Sequence, residues 1–301
     1  MTSNTFQLPM QSWPGLESYA REIQLPRSKI PLFLYEAGRE DYPPICLIHG
    51  IGDEADTWRH LIPALASRWR VIAPDLPGFG RSGLPARSLT IPFFQEIILE
   101  MMDELGLSHV TLCGHSMGGV IAHALTLDHP QRVERLVLLS GCLVARVTGL
   151  NLATLLFLVP GLGEWQYNRL RRDPQAAYRS LKTYYRNLDG LPETDRSFLF
   201  QRVNQRVWSD KQRQAFFSAL RSLAQWVPAQ QRSLPARLAN FQVPTQVVWG
   251  EADQVNAIAN GHALIELQPT ARLAALPEAG HNLHQENPAA ILQAIDESPQ
   301  A

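Results

Sequence analysis

A serine placed between two glycines could supply a nucleophile. Ser116 lies at the centre of residues 114–118, which read Gly-His-Ser-Met-Gly, between an apolar run and a helical pattern. A serine on a sharp strand-to-helix turn needs small residues two positions before and after it, because larger ones would crowd the backbone. Negative charge developing on its oxygen is favoured at the start of a helix. The spacing predicts a nucleophile elbow, with an ordinary glycine-rich turn or a phosphate-binding loop as the alternative.

An acid and a base follow the serine further along the chain. A serine hydroxyl is a poor nucleophile unless a histidine takes its proton, and that histidine needs a carboxylate to fix its tautomer. Asp253 is preferred over Glu251 as this carboxylate because it lies deeper in its loop. His281 is preferred over His284, since Gly280 would let its loop approach the sheet edge, and His284 is expected to begin the last helix. We therefore predict that Asp253 and His281 act with the serine.

A glycine-containing loop earlier in the chain could stabilise an oxyanion. Residues 49–53 read His-Gly-Ile-Gly-Asp and follow an apolar run. Acyl transfer needs backbone N–H groups where the oxyanion forms, and one of them comes from the residue after the nucleophile. We predict that Met117 and Ile51 provide these amides. His49 is expected to brace the loop, with a role as the base as the alternative.

These residues fall on loops at the ends of predicted strands. Short apolar runs without alternation, bounded by turn residues, are typical of strands covered on both faces of a parallel sheet. Helical patterns separate the runs, so the fold class is predicted as α/β with a mostly parallel sheet. The predicted strands are residues 18–25, 29–36, 45–48, 71–73, 110–113, 136–139, 245–249 and 272–276. The predicted helices are residues 57–67, 91–105, 117–128 and 288–295.

The distribution of charge marks an inserted segment. The whole chain has 27 basic and 28 acidic residues, a net charge of −1. Residues 142–234, however, contain 14 Lys and Arg against 6 Asp and Glu, together with 12 of the 25 aromatic residues. We interpret this change in composition as a segment, residues 142–234, inserted into an acidic core made of residues 1–141 and 235–301. Within the inserted segment, residues 165–172, 174–187 and 195–223 are predicted helices.

Composition excludes several classes of protein. With 45% apolar and 18% charged residues, a chain of 301 residues can bury a sizeable core and is not disordered. The balanced charge gives no overall electrostatic reason to bind nucleic acid, and three cysteines without a CxxC pair form neither a disulfide framework nor a metal site. The most apolar stretch, residues 150–159, is too short to span a bilayer. We expect a cytoplasmic protein without signal peptide, transmembrane segment or metal site, and leave its oligomeric state open.

Together these motifs resemble those of the α/β-hydrolase superfamily. The matching segments are His49-Gly50, residues 75–82 (Asp-Leu-Pro-Gly-Phe-Gly-Arg-Ser), residues 114–119, residues 249–253 (Trp-Gly-Glu-Ala-Asp) and Gly280-His281. The match covers about residues 18–141 and 236–297. The resemblance implies an eight-stranded sheet, a serine–aspartate–histidine triad, no cofactor and a variable cap after the sixth strand, which is where residues 142–234 fall.

The resemblance also narrows the set of reactions that the protein is expected to catalyse. Haloalkane dehalogenases and epoxide hydrolases of this superfamily have aspartate where this chain has Ser116, and no acid follows the sixth strand at residues 140–142. Asp75 is expected to have a structural role. The resemblance implies a serine hydrolase that cleaves a carboxylic ester, as carboxylesterases and small lipases do. Lactonases, perhydrolases and carbon–carbon bond hydrolases use the same triad and remain alternatives, as does a non-enzymatic ligand receptor or accessory scaffold.

The expected partner is a small-molecule acyl substrate, with its pocket beneath the cap. The residues expected to border this pocket are His49, Gly50, His115, Leu155, Phe157 and Leu158. The alternative is that the apolar cap residues only pack the cap onto the core. Positive charge on the cap could favour substrates with a carboxylate or phosphate, or peripheral contact with an anionic membrane. A solvated arginine face is the alternative explanation of that charge.

Overall fold

The sheet lies at the centre of the fold. The computed structural model describes residues 3–146 and 152–297 of the chain. Its strands are β1 (Ala20–Gln24), β2 (Pro31–Ala37), β3 (Pro44–Ile48), β4 (Arg70–Pro74), β5 (Val110–His115), β6 (Val133–Leu139), β7 (Thr245–Gly250) and β8 (Ala271–Leu276). Within the described residues these eight strands form one sheet in the order β1-β2-β4-β3-β5-β6-β7-β8.

Strand direction follows from the lengths of the connections. The pairs β1–β2 and β2–β4 are antiparallel, and all pairs from β4 through β3 to β8 are parallel. A tight turn joins β1 to β2, in which the Leu25 amide donates to the Ile30 carbonyl at 3.0 Å, and such short connections suit antiparallel neighbours. The parallel strands are connected through helices. The predicted mostly parallel α/β sheet of eight strands is therefore confirmed.

Helices cover both faces of the sheet and fill the cap. They are α1 (Ile62–Leu65), α2 (Ile91–Glu104), α3 (Met117–Asp128), α4 (Leu152–Leu158), α5 (Leu162–Arg169), α6 (Pro174–Arg179), α7 (Glu193–Trp208), α8 (Asp210–Gln230), α9 (Leu234–Ala239), α10 (Ala259–Leu267), α11 (Leu283–Glu286) and α12 (Pro288–Asp296). The predicted helix over residues 57–67 is wrong, because the structure has a 3₁₀ turn at Ala55–Trp58 and then α1. Pro63 lacks an amide hydrogen and disfavours helical backbone before it, so one helix cannot run through this segment.

The apolar runs of the sequence are buried on both faces of the sheet. In β3, Ile45 and Leu47 belong to the hydrophobic cluster on one face, whereas Cys46 and Ile48 belong to the cluster on the other. All four side chains are fully buried. Successive side chains of a strand point to opposite faces, so a strand covered on both sides must be apolar at every position. This explains why these runs show no alternation.

The described residues between β6 and β7 form helices and turns and contain no strand. The predicted single helix over residues 195–223 is wrong, since α7 and α8 are separated at Ser209. Its hydroxyl accepts a hydrogen bond from the Gln212 amide at 3.3 Å and caps α8. The predicted helix over residues 174–187 ends at Arg179, where a 3₁₀ turn follows. We call residues 142–234 the cap, although its division from the core as a separate domain stays a prediction.

Part of the cap presents apolar side chains to solvent. Leu155, Leu156, Val159 and Trp165, on or beside α4 and α5, are exposed. Residues 147–151, which border and partly overlap the apolar stretch noted in the sequence, lie outside the described residues. Within the part of the chain that the structure describes, no helix is long and apolar enough to cross a membrane. Peripheral membrane contact and a cytoplasmic location stay predictions.

Candidate active site

Ser116 occupies a strained turn between β5 and α3. Its φ of 54° and ψ of −121° lie in a region that residues with a side chain rarely adopt. A Cβ added to Gly114 would clash with the Gly118 carbonyl, and a Cβ added to Gly118 would clash with the Ile48 carbonyl. Close packing of backbone therefore requires the two glycines. The turn places the Ser116 hydroxyl beside the first residue of α3.

A continuous chain of hydrogen bonds joins this serine to a histidine and a carboxylate. Ser116 Oγ lies 2.9 Å from His281 Nε2, and His281 Nδ1 lies 2.8 Å from Asp253 Oδ2. The tautomer that fits both contacts has Nδ1–H donating to the carboxylate and Nε2 accepting from the hydroxyl. The side chains of His281 and Asp253 are only 3% and 0% exposed, and such burial strengthens the hydrogen bonds. The structure thus brings together the three residues expected to act as nucleophile, base and acid.

The loop after β7 holds Asp253 in its charged form. Its second oxygen, Oδ1, accepts hydrogen bonds from the amides of Val255 and Asn256 at 2.8 and 2.9 Å. Burial acts to raise the pKa of Asp253, but the hydrogen bond and charge of His281, together with the two amides, hold the pKa below its usual value. The carboxylate is therefore ionised at neutral pH. Glu251, the other candidate in this loop, is exposed.

Two further histidines pack behind His281. His115 Nε2 lies 2.9 Å from the His281 carbonyl oxygen, and His284 Nε2 lies 2.7 Å from Thr57 Oγ1. Burial, followed by the neighbouring His281, lowers the pKa of His115 to about 3, and burial likewise lowers the pKa of His284. Both rings are neutral and support the loop of His281, so the buried position of His115 does not fit the expected substrate contact. The prediction that His284 begins the last helix is wrong, because it lies in α11, before α12.

The loop of residues 49–53 lies against the nucleophile. A Cβ added to Gly50 would lie 3.2 Å from the Ser116 Cβ. The Asp53 amide donates to the Gly50 carbonyl at 3.3 Å, which closes a turn that carries Ile51. Met117 is the first residue of α3, and an amide in that position has no acceptor within its own helix. The two amides expected to bind an oxyanion therefore belong to segments that flank Ser116.

His49 and Asp75 hold the backbone around this loop. His49 is fully buried, its Nδ1 lies 2.7 Å from the Gly50 carbonyl, and its Nε2 accepts from the Leu76 amide at 2.8 Å. Because both ring nitrogens are used within the protein, this geometry fits a brace and does not fit a base or a substrate contact. Asp75 is also fully buried and accepts hydrogen bonds from the amide and the Nε of Arg81 at 2.7 and 2.8 Å. These contacts fit the structural role expected for Asp75.

Aromatic side chains of the cap cover the same loop. Phe216 on α8 faces Gly52, where an added Cβ would lie 3.2 Å from the phenylalanine ring. The ring centroids of Phe157 and Tyr167 lie 6.1 and 5.7 Å from that of Phe216. Phe157, expected near the substrate, therefore belongs to an aromatic group above the loop. Sequence reasoning missed Phe216, for which the only signal was the high aromatic content of the cap.

The other cap residues expected near the substrate lie further out. Leu155 is 48% exposed, on the outside of the cap. Leu158 is half-buried, and its carbonyl accepts from Arg221 Nε at 3.1 Å. Tyr184, which sequence reasoning missed, has its ring 5.9 Å from that of His281, and its carbonyl accepts from the Asn282 amide at 2.8 Å. Tyr184 is thus a cap residue in contact with the His281 loop.

Many basic residues of the cap are paired with carboxylates. Some pairs lie within the cap. Others join the cap to carboxylates of the core that come directly after residues 49–52. The pairs within the cap are Arg171–Asp210, Arg179–Asp173, Lys182–Asp189, Arg196–Glu193, Arg213–Asp210 and Arg221–Glu164. Arg202 and Arg206 pair with Asp53, Glu54 and Asp56 of the core. The carboxylates within the cap are already counted in its net charge, so among these pairs only those with the core, made by Arg202 and Arg206, offset the excess of basic residues that the sequence indicates.

The described residues offer no evident metal site. Among them, no group of three or more His, Cys, Asp or Glu side chains is arranged to hold a metal ion. Cys46, Cys113 and Cys142 are free and buried, and burial raises the pKa of each thiol. Buried thiols of this kind are chemically inert packing residues.

Comparison with known proteins gives a family and a fold. The family model described as alpha/beta hydrolase fold matches residues 43–288. A 2-hydroxy-6-oxo-6-phenylhexa-2,4-dienoate hydrolase of Burkholderia cepacia is 29% identical over 262 residues, 84% of this chain and 86% of that protein. The solved structure of the Rhodococcus enzyme of that name has a TM-score of 0.76 at 23% identity, covering 92% of this chain and 98% of the other. A thermophilic esterase from Thermogutta terrifontis has a TM-score of 0.72 at 23% identity, covering 92% and 97%.

Proposed function

The chain belongs to the alpha/beta hydrolase fold family, and from this premise we propose that it is a serine hydrolase that cleaves a carboxylic ester. The observation that carries the proposal is the hydrogen-bonded chain from Ser116 through His281 to Asp253, with contacts of 2.9 and 2.8 Å. The strained turn at Ser116 supports it, because such strain is found where a side chain must be presented for reaction.

The first half of the proposed reaction acylates the serine. Ser116 Oγ attacks the ester carbonyl carbon while His281 Nε2 takes the hydroxyl proton. Asp253 stabilises the imidazolium that forms and keeps Nδ1 protonated. The negative charge on the former carbonyl oxygen is stabilised by the amides of Ile51 and Met117. When the tetrahedral intermediate collapses, the alcohol leaves with the proton from His281.

The second half of the reaction releases the acid. A water molecule takes the place of the alcohol and gives its proton to His281 as it attacks the acyl carbon. The same amides stabilise the second tetrahedral intermediate, and Ser116 leaves with the proton returned by His281. The free carboxylic acid then departs, and the hydrogen-bonded chain is restored.

The aromatic residues of the cap favour a substrate with an apolar acyl group. Phe216 and Phe157 lie above the loop that carries Ile51, and apolar aromatic walls favour apolar acyl chains. Many of the cap's arginines already pair with carboxylates of the protein, so we do not assign them to an anionic substrate. We therefore propose an uncharged alkyl or aryl acyl group as the preferred substrate class.

Steady-state hydrolysis of p-nitrophenyl esters from acetate to laurate tests this function. The proposal requires multiple turnovers with an optimum chain length, and no turnover above background from Ser116→Ala at the same concentration. A single stoichiometric burst would support the ligand-receptor alternative instead. Folded wild-type protein that hydrolyses none of these esters would contradict the proposal.

Hydrolysis of a carbon–carbon bond is the second candidate. It is favoured by the likeness to the Burkholderia cepacia 2-hydroxy-6-oxo-6-phenylhexa-2,4-dienoate hydrolase over 84% of this chain. Kinetics on that dienoate, run beside the best p-nitrophenyl ester, distinguish the two reactions. A kcat/KM for the dienoate that exceeds the ester value would assign carbon–carbon cleavage, and the reverse would support the esterase.

A further inference from the structure

A buried ionic cluster joins the cap to the loop that carries Ile51. Arg206 on α7 donates through Nε to Glu54 Oε2 at 2.7 Å and through Nη2 to Asp53 Oδ1. The side chains of Arg206 and Asp53 are 14% exposed, and that of Glu54 is fully buried. Arg202, one helical turn earlier, places its Nε 3.1 Å from Glu54 Oε1. Two arginines of one cap helix therefore form ion pairs with two consecutive carboxylates of the core.

Ion pairing stabilises this contact between the cap and the core. Removing ions from water is costly unless each finds a partner, and a buried charge that loses its partner is strongly unfavourable. Burial acts to raise the pKa of Asp53, but Arg206, followed by His49, holds that pKa below its usual value. The planar guanidinium can meet two carboxylates at once, which fixes direction as well as distance. Arg206 is thus suited to hold Asp53 and Glu54 in one arrangement.

Asp53 and Glu54 lie at the end of the turn that carries Ile51, whose amide is the proposed oxyanion donor. The Asp53 amide closes the turn on the Gly50 carbonyl at 3.3 Å, so fixing Asp53 fixes the end of the turn. Gly52 has a φ of +71°, a conformation that glycine adopts freely but does not enforce. A turn with glycine at positions 50 and 52 needs outside contacts to keep one shape. The cap supplies them through Arg206 and through Phe216, which faces Gly52.

We propose that Arg206 is a positioning residue that holds the Ile51 amide in place for the oxyanion by fixing Asp53 and Glu54. This inference rests on the proposed acyl-transfer function. It makes the cap part of the catalytic apparatus, because a cap displaced from the core would release the turn. Among the described residues, the hydrogen bonds and ion pairs of the Arg206 side chain are to Asp53 and Glu54 and not to the triad, so it acts through the two carboxylates.

Two substitutions test the positioning role. Arg206→Met removes the ion pairs with Asp53 and Glu54. Arg206→Lys keeps the positive charge but lacks the planar guanidinium that binds both carboxylates. Because misplacing a catalytic group by about 1 Å can cost on the order of 100-fold, we expect Arg206→Met to lower kcat on p-nitrophenyl butyrate about 10- to 100-fold with KM changed less than threefold. We expect Arg206→Lys to fall between Arg206→Met and the wild type.

A third variant separates positioning from stability. Arg206→Met leaves Asp53 without its arginine partner and Glu54 with Arg202 alone, so the variant could unfold. The triple variant Arg206→Met, Asp53→Asn, Glu54→Gln removes these two carboxylate charges as well, and Arg202 keeps Asp56 as its partner. We expect it to recover the melting temperature while kcat remains low. Arg221→Met is the matched control, since Arg221 pairs with Glu164 within the cap at 2.8 Å, and we expect it to keep the wild-type kcat.

Hydrogen–deuterium exchange of residues 50–56 provides a readout that does not depend on turnover. We expect faster exchange in Arg206→Met and in the triple variant than in Arg221→Met and the wild type. The inference is overturned if the exchange of residues 50–56 is unchanged, or if the folded triple variant recovers the wild-type kcat. If the wild type cleaves no ester, the proposed function fails, and exchange still decides whether Arg206 holds the turn.

Discussion

At the scale of single residues, the arrangement of Asp253 fixes which nitrogen of His281 carries the proton. One oxygen of Asp253 accepts two backbone amides, and the other accepts from His281 Nδ1 at 2.8 Å. With Nδ1 protonated, Nε2 must be the acceptor that faces the serine. In the proposed reaction the carboxylate therefore acts through the tautomer of the histidine and through the charge that stabilises the imidazolium.

Asp253→Asn tests this assignment. The asparagine oxygen can still accept the two amides, but its NH₂ group cannot accept from Nδ1–H, so the histidine would turn its proton towards the serine. We expect kcat on a p-nitrophenyl ester to fall by about 10⁴ with little change in KM. Glu251→Gln is the matched control in the same loop and should keep wild-type kinetics. Equal activity of the two variants would remove Asp253 from the triad.

The sequence could predict these three residues because their signals are local. Gly114 and Gly118 mark the turn of Ser116, and Asp253 and His281 each lie on a short loop after an apolar strand. The bracing role expected for His49 fits its contact with the Leu76 amide, although the sequence does not indicate that partner. The sequence also does not indicate the contact of Phe216 with Gly52, which exists only because α8 folds back over the core. No local pattern reports such contacts between distant segments.

At the scale of elements, α8 determines what covers the site. The inner strands were predictable because burial on both faces imposes an apolar run. The cap helices have both polar and apolar faces, and they end at weak local signals such as Ser209. The predicted helix over residues 195–223 runs across that boundary. The break redirects the chain, so that α7 brings Arg206 and α8 brings Phe216 to the same loop.

Phe216→Ala should enlarge the acyl pocket. We expect kcat/KM for p-nitrophenyl butyrate to fall about 10-fold, since apolar pocket contacts are worth roughly 10- to 200-fold. The optimum should move towards esters at least two carbons longer, because the space left by the ring can hold a longer chain. The chain-length series measures both effects.

Phe200→Ala is the control for this variant. Phe200 on α7 packs against Phe6 and Tyr178, with ring centroids 6.1 and 5.9 Å away. The change removes a similar ring from the cap without touching the loop of residues 49–53. We expect the wild-type chain-length optimum from Phe200→Ala. The same optimum in Phe216→Ala would exclude Phe216 from the pocket.

At the scale of the whole molecule, buried neutral histidines make stability depend on pH. Burial lowers the pKa of His115 and of His123 to about 3. An unfolded histidine has a pKa of about 6.5. Below that pH the unfolded chain binds protons that the folded chain does not. The contribution of these histidines to the free energy of unfolding is therefore fully present above about pH 6.5 and is lost as the pH falls. The slope is roughly 1.4 kcal/mol per pH unit for each such histidine.

His123→Asn tests this slope away from the active site. His123 on α3 is fully buried, and its Nδ1 accepts from the Leu143 amide at 3.3 Å, a contact that the asparagine oxygen can imitate. Urea unfolding at pH 8, 6.5 and 5 should give a shallower loss of unfolding free energy in this variant, by about 1.4 kcal/mol per pH unit between pH 6.5 and 5. His109→Asn, at an exposed histidine, should retain the wild-type slope. Parallel curves for all three proteins would contradict the account.

Covalent labelling tests the proposed role of Ser116 as the nucleophile. Wild-type protein treated with a fluorophosphonate should gain one adduct per chain, located by peptide mapping on the segment that contains Ser116. Ser116→Ala should gain none, and its kcat on esters should be lower by about 10³- to 10⁶-fold. Folded wild-type protein that is not labelled, or is labelled on another residue, would contradict the claim.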